Sequence, residues 1–246
     1  MPVGKLKNTL YGLALPVAGR RCGWQQAQGG SDAANRAVTK ALKQNHVVGA
    51  CVQRFENGRL TDCFTAGYAS LVGEKRPVAA DTIFRTASIA KMATALLVFR
   101  LQSMDKLDVR EDVSDFLGER IENPHDPGAP ITLGMLLNHT SSIVDSPAYY
   151  HSFTEPADLT VLLHDPASFS PEPPGMTFRY SNLAAGMIGC LLEKRFGMCF
   201  ETLMQKELFS PLGIQATFDI TTLPPEKIAD SYRVLPSEAG FSAQKR

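Results

Sequence analysis

Ser88 and Lys91 stand one helical turn apart at the head of a run, Ile89 to Phe99, in which Lys91 is the only charged residue. Positions i and i+3 share a helix face, so the hydroxyl and the amine are within reach of each other. A run this apolar predicts a helix buried all round, and a lysine there is rarely left without a partner or a use. Burial disfavours the ammonium form. Lys91 is therefore expected to act as a neutral base beside a serine that alone is a weak nucleophile, which is the chemistry of acyl transfer. The competing reading is a helix-capping serine followed by a lysine whose stem lies on apolar surface while its amine reaches water.

The spacing alone is unspecific, because Ser103/Lys106 and Ser242/Lys245 share it. The first of these falls in a charged turn and the second in a polar tail, where a lysine can stay in water. Tyr180-Ser181-Asn182 is the only Tyr-x-Asn in the chain, set between the breaker-rich stretch Ser170 to Gly175 and the apolar run Leu183 to Leu192. A phenol whose pKa is lowered by a nearby ammonium can relay a proton, and a carboxamide two positions on can both donate to and accept from an amide-like substrate. The plainer alternative has Asn182 or Ser181 capping the next helix while Tyr180 packs.

Three segments in order, Thr86-Ala87-Ser88-Ile89-Ala90-Lys91, then Ile131 to Ser142 (ITLGMLLNHTSS), then Pro174 to Asn182 (PGMTFRYSN), resemble the landmarks of the penicillin-recognising serine hydrolases. The resemblance is greatest to the branch of class C β-lactamases, DD-peptidases and related esterases, and runs from about Val47 to about Tyr232. It implies an α/β, β-lactamase-like (DD-peptidase-like) fold, an antiparallel sheet flanked by helices plus a helical subdomain over about 105–215. It also implies that Ser88 is acylated, with its own backbone N–H as one oxyanion donor. Lys91 would take the serine proton or tune the phenol, Tyr180 would act as base and then as acid to the leaving group, and Asn182 would bind the acyl side chain's amide. Whether Lys91 or Tyr180 is the base stays open, since strongly interacting groups titrate as a unit.

This chain departs from the family pattern at two places. Ser142 stands where the family usually has glycine, and no Lys-Thr-Gly or His-x-Gly stretch occurs between Leu183 and Arg246. That stretch supplies a second oxyanion donor, whose loss costs on the order of a hundred- to a thousandfold in rate. A ligand-binding member without turnover is thus the alternative to a hydrolase. The substrate classes implied are an ester, a D-Ala-D-Ala-type peptide or a β-lactam.

The elements that must position these groups begin with a helix from a Ser31-Asp32 cap to about Gln44, whose alanines, Val38 and Leu42 are expected to pack on a hairpin. That hairpin is Val47 to Phe55, Asn57-Gly58, and Leu60 to Tyr68. Two strands do not make an independent sheet, and only 215–220 and 231–235 read as further strands. The sheet is expected to be incomplete and the chain to be the N-terminal portion of a longer protein. Residues 108–117 read as a solvated loop and turn, 123–130 as a connector, and Thr132 as the cap of a short helix. Between Tyr149 and Pro174, the aromatics Tyr149, Tyr150, Phe153 and Phe169 belong either to the subdomain core, the favoured reading, or to a pocket wall.

With 246 residues and 44% hydrophobic side chains, the chain can bury a sizeable core, so residues 31–246 read as one domain. Its 25 basic and 25 acidic residues leave no electrostatic footprint for nucleic acid or a membrane surface, and no apolar stretch is long enough to span a bilayer. The partner implied is a small-molecule or short-peptide substrate, and nothing fixes the oligomeric state. Residues 1–30 carry Lys5, Lys7, Arg20 and Arg21 and no acid. They form either a loosely docked arm or a targeting segment; Gly12 and Pro16 interrupt the short apolar run, so a cytoplasmic location is favoured over export. Cys22, Cys51, Cys63, Cys190 and Cys199 cannot all pair within the chain, although Cys51 and Cys63 could face each other across the hairpin. His139 has no Gly-x-Ser-x-Gly elbow to partner it, and His46, His125, His151 and His164 lack metal-ligand spacing. No metal and no cofactor is implied.

Overall fold

The computed structural model describes residues 31–45, 47–71, 73–152, 158–235 and 240–244. Expectations for residues 1–30, Cys22, His46, Phe153 and Lys245 lie outside the described residues. The chain divides into two compact units, one of residues up to Arg85 with those from Thr221 onward, the other Thr86–Ile220.

In the first unit, α1 (Asp32–Gln44) starts where the Ser31 side chain accepts from Ala34 N–H and turns Ala34, Val38, Thr39 and Leu42 to its covered side. Ala33, Ala37 and Ala41 are exposed, so of these alanines Ala34 alone joins the packing. Strands β1 (Gly49–Glu56) and β2 (Arg59–Ser70) pair antiparallel, from Gly49 opposite Gly67 to Glu56 opposite Arg59. The turn between them holds Asn57 at φ 51° and Gly58 at φ 74°, the left-handed pair whose twist suits a two-residue hairpin. β3 (Arg76–Pro77) adds to β2, and β4 (Ser231–Leu235) pairs with β5 (Gly240–Gln244) in a separate ribbon. The Ser70 hydroxyl donates to Asp230 at 2.7 Å and the Arg76 guanidinium to Ile228 C=O at 2.6 Å, tying the two parts of this unit together. Cys51 and Cys63 sit diagonally across the hairpin as free thiols, their sulfurs 3.6 Å apart.

The second unit is helical. A 3₁₀ turn (Ala87–Ile89) runs into α2 (Ala90–Ser103), followed by α3 (Val113–Leu117), α4 (Leu133–Leu137), α5 (Pro147–His151), α6 (Leu159–His164) and α7 (Asn182–Phe196). α8 (Phe200–Met204) continues through a π turn into α9 (Ser210–Leu212). Asp112, Thr132, Ser146, Asp158 and Ser181 each accept a backbone N–H of the helix they precede, so polar residues set where these short helices begin. The core is built from Leu97, Leu101, Ile131, Leu136, Met187 and Leu191, each at most 1% exposed. Truncating any one of the leucines to alanine is expected to cost about 2–5 kcal/mol.

Three expectations need correction. α2 is covered on one side only: Leu97, Val98 and Leu101 are buried, while Met92, Leu96 and Phe99 are 49–61% exposed, as is Ile89 in the turn before it at 64%. An all-apolar sequence does not say which face is covered. Residues 113–117 form a helix with Val113 and Phe116 in the core, started by the Asp112 side chain on Ser114 N–H, where a solvated loop was expected. Residues 215–220 are not a strand. The Glu201 carboxylate, 16–17 residues away, accepts there from the Thr217 hydroxyl and from Phe218 N–H, and the Thr217 hydroxyl accepts locally from Asp219 N–H, bonds that compete with a strand ladder. The aromatics also divide. Phe169 is in the core, Tyr149 packs against it half-buried, and Tyr150 is 56% exposed.

Candidate active site

Ser88 lies in the 3₁₀ turn that opens α2, with Lys91 one turn further on. Ala87, immediately before the serine, has φ 47°, a left-handed conformation that costs a side-chain-bearing residue about 1–2 kcal/mol. Tyr180 precedes the extended cap residue Ser181, and Asn182 is the first residue of α7. Within the second unit these four side chains meet. Ser88 Oγ is 2.7 Å from the Tyr180 hydroxyl, and Lys91 Nζ donates to Ser88 Oγ at 3.3 Å and to Asn182 Oδ1 at 2.9 Å. The lysine nitrogen stands 5.0 Å from the centre of the Tyr180 ring.

Instead of enclosure by apolar neighbours, Lys91 is half-buried and its amine is directed at polar acceptors rather than at open water. The expectation of a desolvated lysine gives way to one seated by hydrogen bonds. The phenol carries the electrostatic consequence: Lys91, and after it the Ser88 hydroxyl, hold Tyr180 below the ordinary range near 10. Tyr180 does not pack away. It is 48% exposed, and Ser181 is the residue that caps α7, through Ala184 N–H at 3.0 Å.

The surroundings of Tyr180 come from segment 123–145. The Gly175 N–H donates to Thr140 C=O and the Arg179 N–H to His139 C=O, both at 2.7 Å. His139 Nδ1 accepts from Ser181 N–H at 3.3 Å, which leaves the imidazole proton on Nε2, and its ring lies 4.6 Å from that of Tyr180. Burial, then the nearby Lys91 ammonium, push the His139 pKa below 6.5, against an opposing pull from Asp145. Fully buried Asn123 donates to Ser142 Oγ, Ser170 C=O and Glu172 C=O at 2.9–3.0 Å. Glu172 in turn pairs with Arg179, which brings its carboxyl down to about 2.

Asp145 is the residue that sequence reasoning missed. Its Oδ1 accepts from Asn182 N–H at 2.7 Å, Leu183 N–H at 2.9 Å and the Ser181 hydroxyl at 3.0 Å, and its Oδ2 accepts from Asn182 Nδ2 at 2.8 Å. Burial works to raise its pKa, but the donors from Leu183, Asn182 and Ser181 outweigh burial and hold it below the ordinary carboxylate range. The available signal was a single acid three residues beyond the His139–Ser142 run.

The other Ser-x-x-Lys unit within the described residues is structural. Ser103 donates to Arg100 C=O and Lys106 pairs with Glu207. Among the described residues, no group of three or more His, Cys, Asp or Glu side chains is placed to hold a metal ion, and no helix is long and apolar enough to cross a membrane.

A family model described as Beta-lactamase matches residues 34–238. Penicillin-binding protein 4* of Bacillus subtilis (strain 168) is 26% identical over 200 residues, covering 78% of this chain and 43% of that protein. Esterase EstB of Burkholderia gladioli is 27% identical over 210 residues, covering 78% of this chain and 52% of that protein. The chain spans about half the length of the curated relatives it matches. In fold it is similar to the octameric penicillin-binding protein homologue of Pyrococcus abyssi, with TM-score 0.73 at 22% identity over 87% of this chain and 50% of that one.

Proposed function

The chain belongs to the Beta-lactamase family, and from that premise we propose that it is a serine hydrolase or acyltransferase in which Ser88 is the acylated nucleophile. The observation that carries this reading is the 2.7 Å contact between Ser88 Oγ and the Tyr180 hydroxyl, with Lys91 Nζ 3.3 Å from the same oxygen. Tyr180 is the base. Its phenol has the shorter contact to the serine and a lowered pKa, whereas Lys91 is engaged as a donor to Asn182 Oδ1. An ionised Tyr180 takes the Ser88 proton as Oγ attacks the substrate carbonyl. The oxyanion forms against the Ser88 N–H. The phenol then protonates the leaving group, and the same oxygen activates the water that cleaves the acyl-enzyme.

The substrate class that fits is an ester, a D-Ala-D-Ala-type peptide or a β-lactam, whose acyl carbonyl would sit beside the exposed Ser88 and whose acyl amide would meet Asn182. A second reading, a catalytically silent member that binds ligand without turnover, is supported by the lack of a Lys/His-x-Gly stretch among residues 183–246. A fluorophosphonate probe tests the first step. Wild type should label, Ser88→Ala should not, and Tyr180→Phe should label at least tenfold more slowly. Equal labelling of wild type and Ser88→Ala would overturn the assignment. Release of p-nitrophenol beyond one equivalent from an activated ester separates turnover from capture.

A further inference from the structure

We propose that Asp145 is a positioning residue, which fixes the Asn182 carboxamide so that its oxygen, and not its nitrogen, faces Lys91. An ionised carboxylate only accepts hydrogen bonds and an ammonium only donates them. Asn182 lies between the two: its Nδ2 gives a hydrogen to Asp145 Oδ2 at 2.8 Å and its Oδ1 receives one from Lys91 Nζ at 2.9 Å. Turning the amide over would set donor against donor on one side and acceptor against acceptor on the other. The carboxylate thus seats the ammonium without touching it, and the seated ammonium stands beside the phenol. Asp145 Oδ1 meanwhile holds the first N–H groups of α7, an arrangement that complements the positive end of the 15-residue helix. One side chain therefore anchors the backbone that carries Tyr180 and aims the amide that holds Lys91.

A purely structural cap is separable from this role by the direction of one shift. In Asp145→Asn the new oxygen can keep the contacts of Oδ1, but the new NH₂ meets Asn182 Nδ2 and reverses the Asn182 amide. Lys91 loses its acceptor, and the Tyr180 titration, followed by ¹³C NMR of labelled tyrosine in the full chain, moves up. Loss of the Asp145 charge alone would move it down, since that charge raises the Tyr180 pKa. Asn182→Ala removes the same acceptor and should give the same upward shift, and adding Asp145→Asn to it should give no further rise. Ser181→Ala, which removes the other α7 cap, should lower the urea midpoint and leave the Tyr180 titration in place.

A downward or absent shift in Asp145→Asn, or an equal upward shift in Ser181→Ala, overturns the proposal. A measurement on the unaltered chain does not depend on any variant folding. As Asp145 is protonated below the ordinary carboxylate range, the Asn182 side-chain amide ¹⁵N signal should move at the same midpoint as the Asp145 ¹³Cγ signal, and independent midpoints would overturn it. Fluorophosphonate labelling of Asp145→Asn should be slower by about 10- to 100-fold, the loss of one hydrogen bond to a charged group. This last arm rests on the reading of Ser88 as nucleophile. The titration arms do not, so failure of one reading is distinguishable from failure of the other.

Discussion

Ser142 offers a substitution whose sign can be worked out from two opposing contacts. It sits at φ 62°, is 3% exposed, and its hydroxyl accepts from Asn123 Nδ2 at 3.0 Å. The left-handed backbone costs about 1–2 kcal/mol for a residue with a Cβ. Glycine removes that cost but returns about 0.5–1 kcal/mol through the freer unfolded chain. The backbone gain of Ser142→Gly therefore lies between about 0 and 1.5 kcal/mol, centred on ~0.7. Against it stands the Asn123 bond, about 1 kcal/mol, while Asn123 Nδ2 keeps its bonds to Ser170 and Glu172. Ser142→Gly should come out near neutral. Ser142→Ala loses the same bond and keeps the strained backbone, so it should be destabilised by about 1 kcal/mol. Both variants lack the Asn123 bond, so the gap between them reads the backbone effect less the packing of the buried alanine methyl. Urea unfolding with a shared m-value measures it, and an alanine variant as stable as the glycine variant would refute the reasoning. The result would also explain how serine is tolerated where the resembling family usually has glycine: the Asn123 bond offsets the strain.

Other outcomes follow from the same geometry. Ala87→Gly relieves the left-handed residue beside Ser88, so it should raise the unfolding free energy in urea by about 0.5–1 kcal/mol and slow fluorophosphonate labelling of Ser88; faster labelling would refute a positioning role for the strain. Asn123→Ala strips buried acceptors of their donor and should cost roughly 2–4 kcal/mol in urea unfolding, with a loss under 1 kcal/mol counting against it. His139, whose folded pKa lies below 6.5, stabilises the fold through its neutral form. That contribution is present above pH 6.5 and is lost as pH falls through the lower folded value, because the unfolded state binds the proton first. Wild type should therefore lose stability across that window relative to His139→Gln, and a ¹³C-histidine midpoint at or above 6.5 would exclude the effect.

What the sequence made legible was local. Asn57-Gly58 between alternating runs dictated a hairpin, and Ser31 and Thr132 marked helix starts, because a turn or a cap is decided by residues within three or four positions. Ser88, Lys91, Tyr180 and Asn182 were legible as a set only through the order of the family-like segments, since nothing in their spacing brings position 88 to position 180. What stayed hidden depends on contacts across long stretches of chain. Asp145 reaches residues 36–38 positions away and Asn123 reaches 47–49, and neither leaves a periodic trace. The 215–220 run reads as a strand by composition and was overridden by the Glu201 carboxylate from a neighbouring helix. The exposed side of α2 was illegible for a simpler reason: apolar residues all round a helix carry no phase.

These hidden contacts bear on how an exposed phenol can be held in place. At 48% exposure Tyr180 has little packing to hold it, and its fixed position comes from the backbone on either side. Asn123 fixes the loop at Ser170 and Glu172, Thr140 and His139 fix it at Gly175, Arg179 and Ser181, and Asp145 fixes the first residues of α7. All of these anchors lie within 123–145, a stretch with its own buried members in Ile131, Leu133, Leu136 and Ile143. The core thus transmits its rigidity to the site by hydrogen bonds to the main chain and leaves the tyrosine side chain open to solvent. In a site built this way, the substitutions most damaging to the chemistry need not be the most damaging to stability, because the groups that aim the phenol and the amine are polar side chains rather than part of the apolar core.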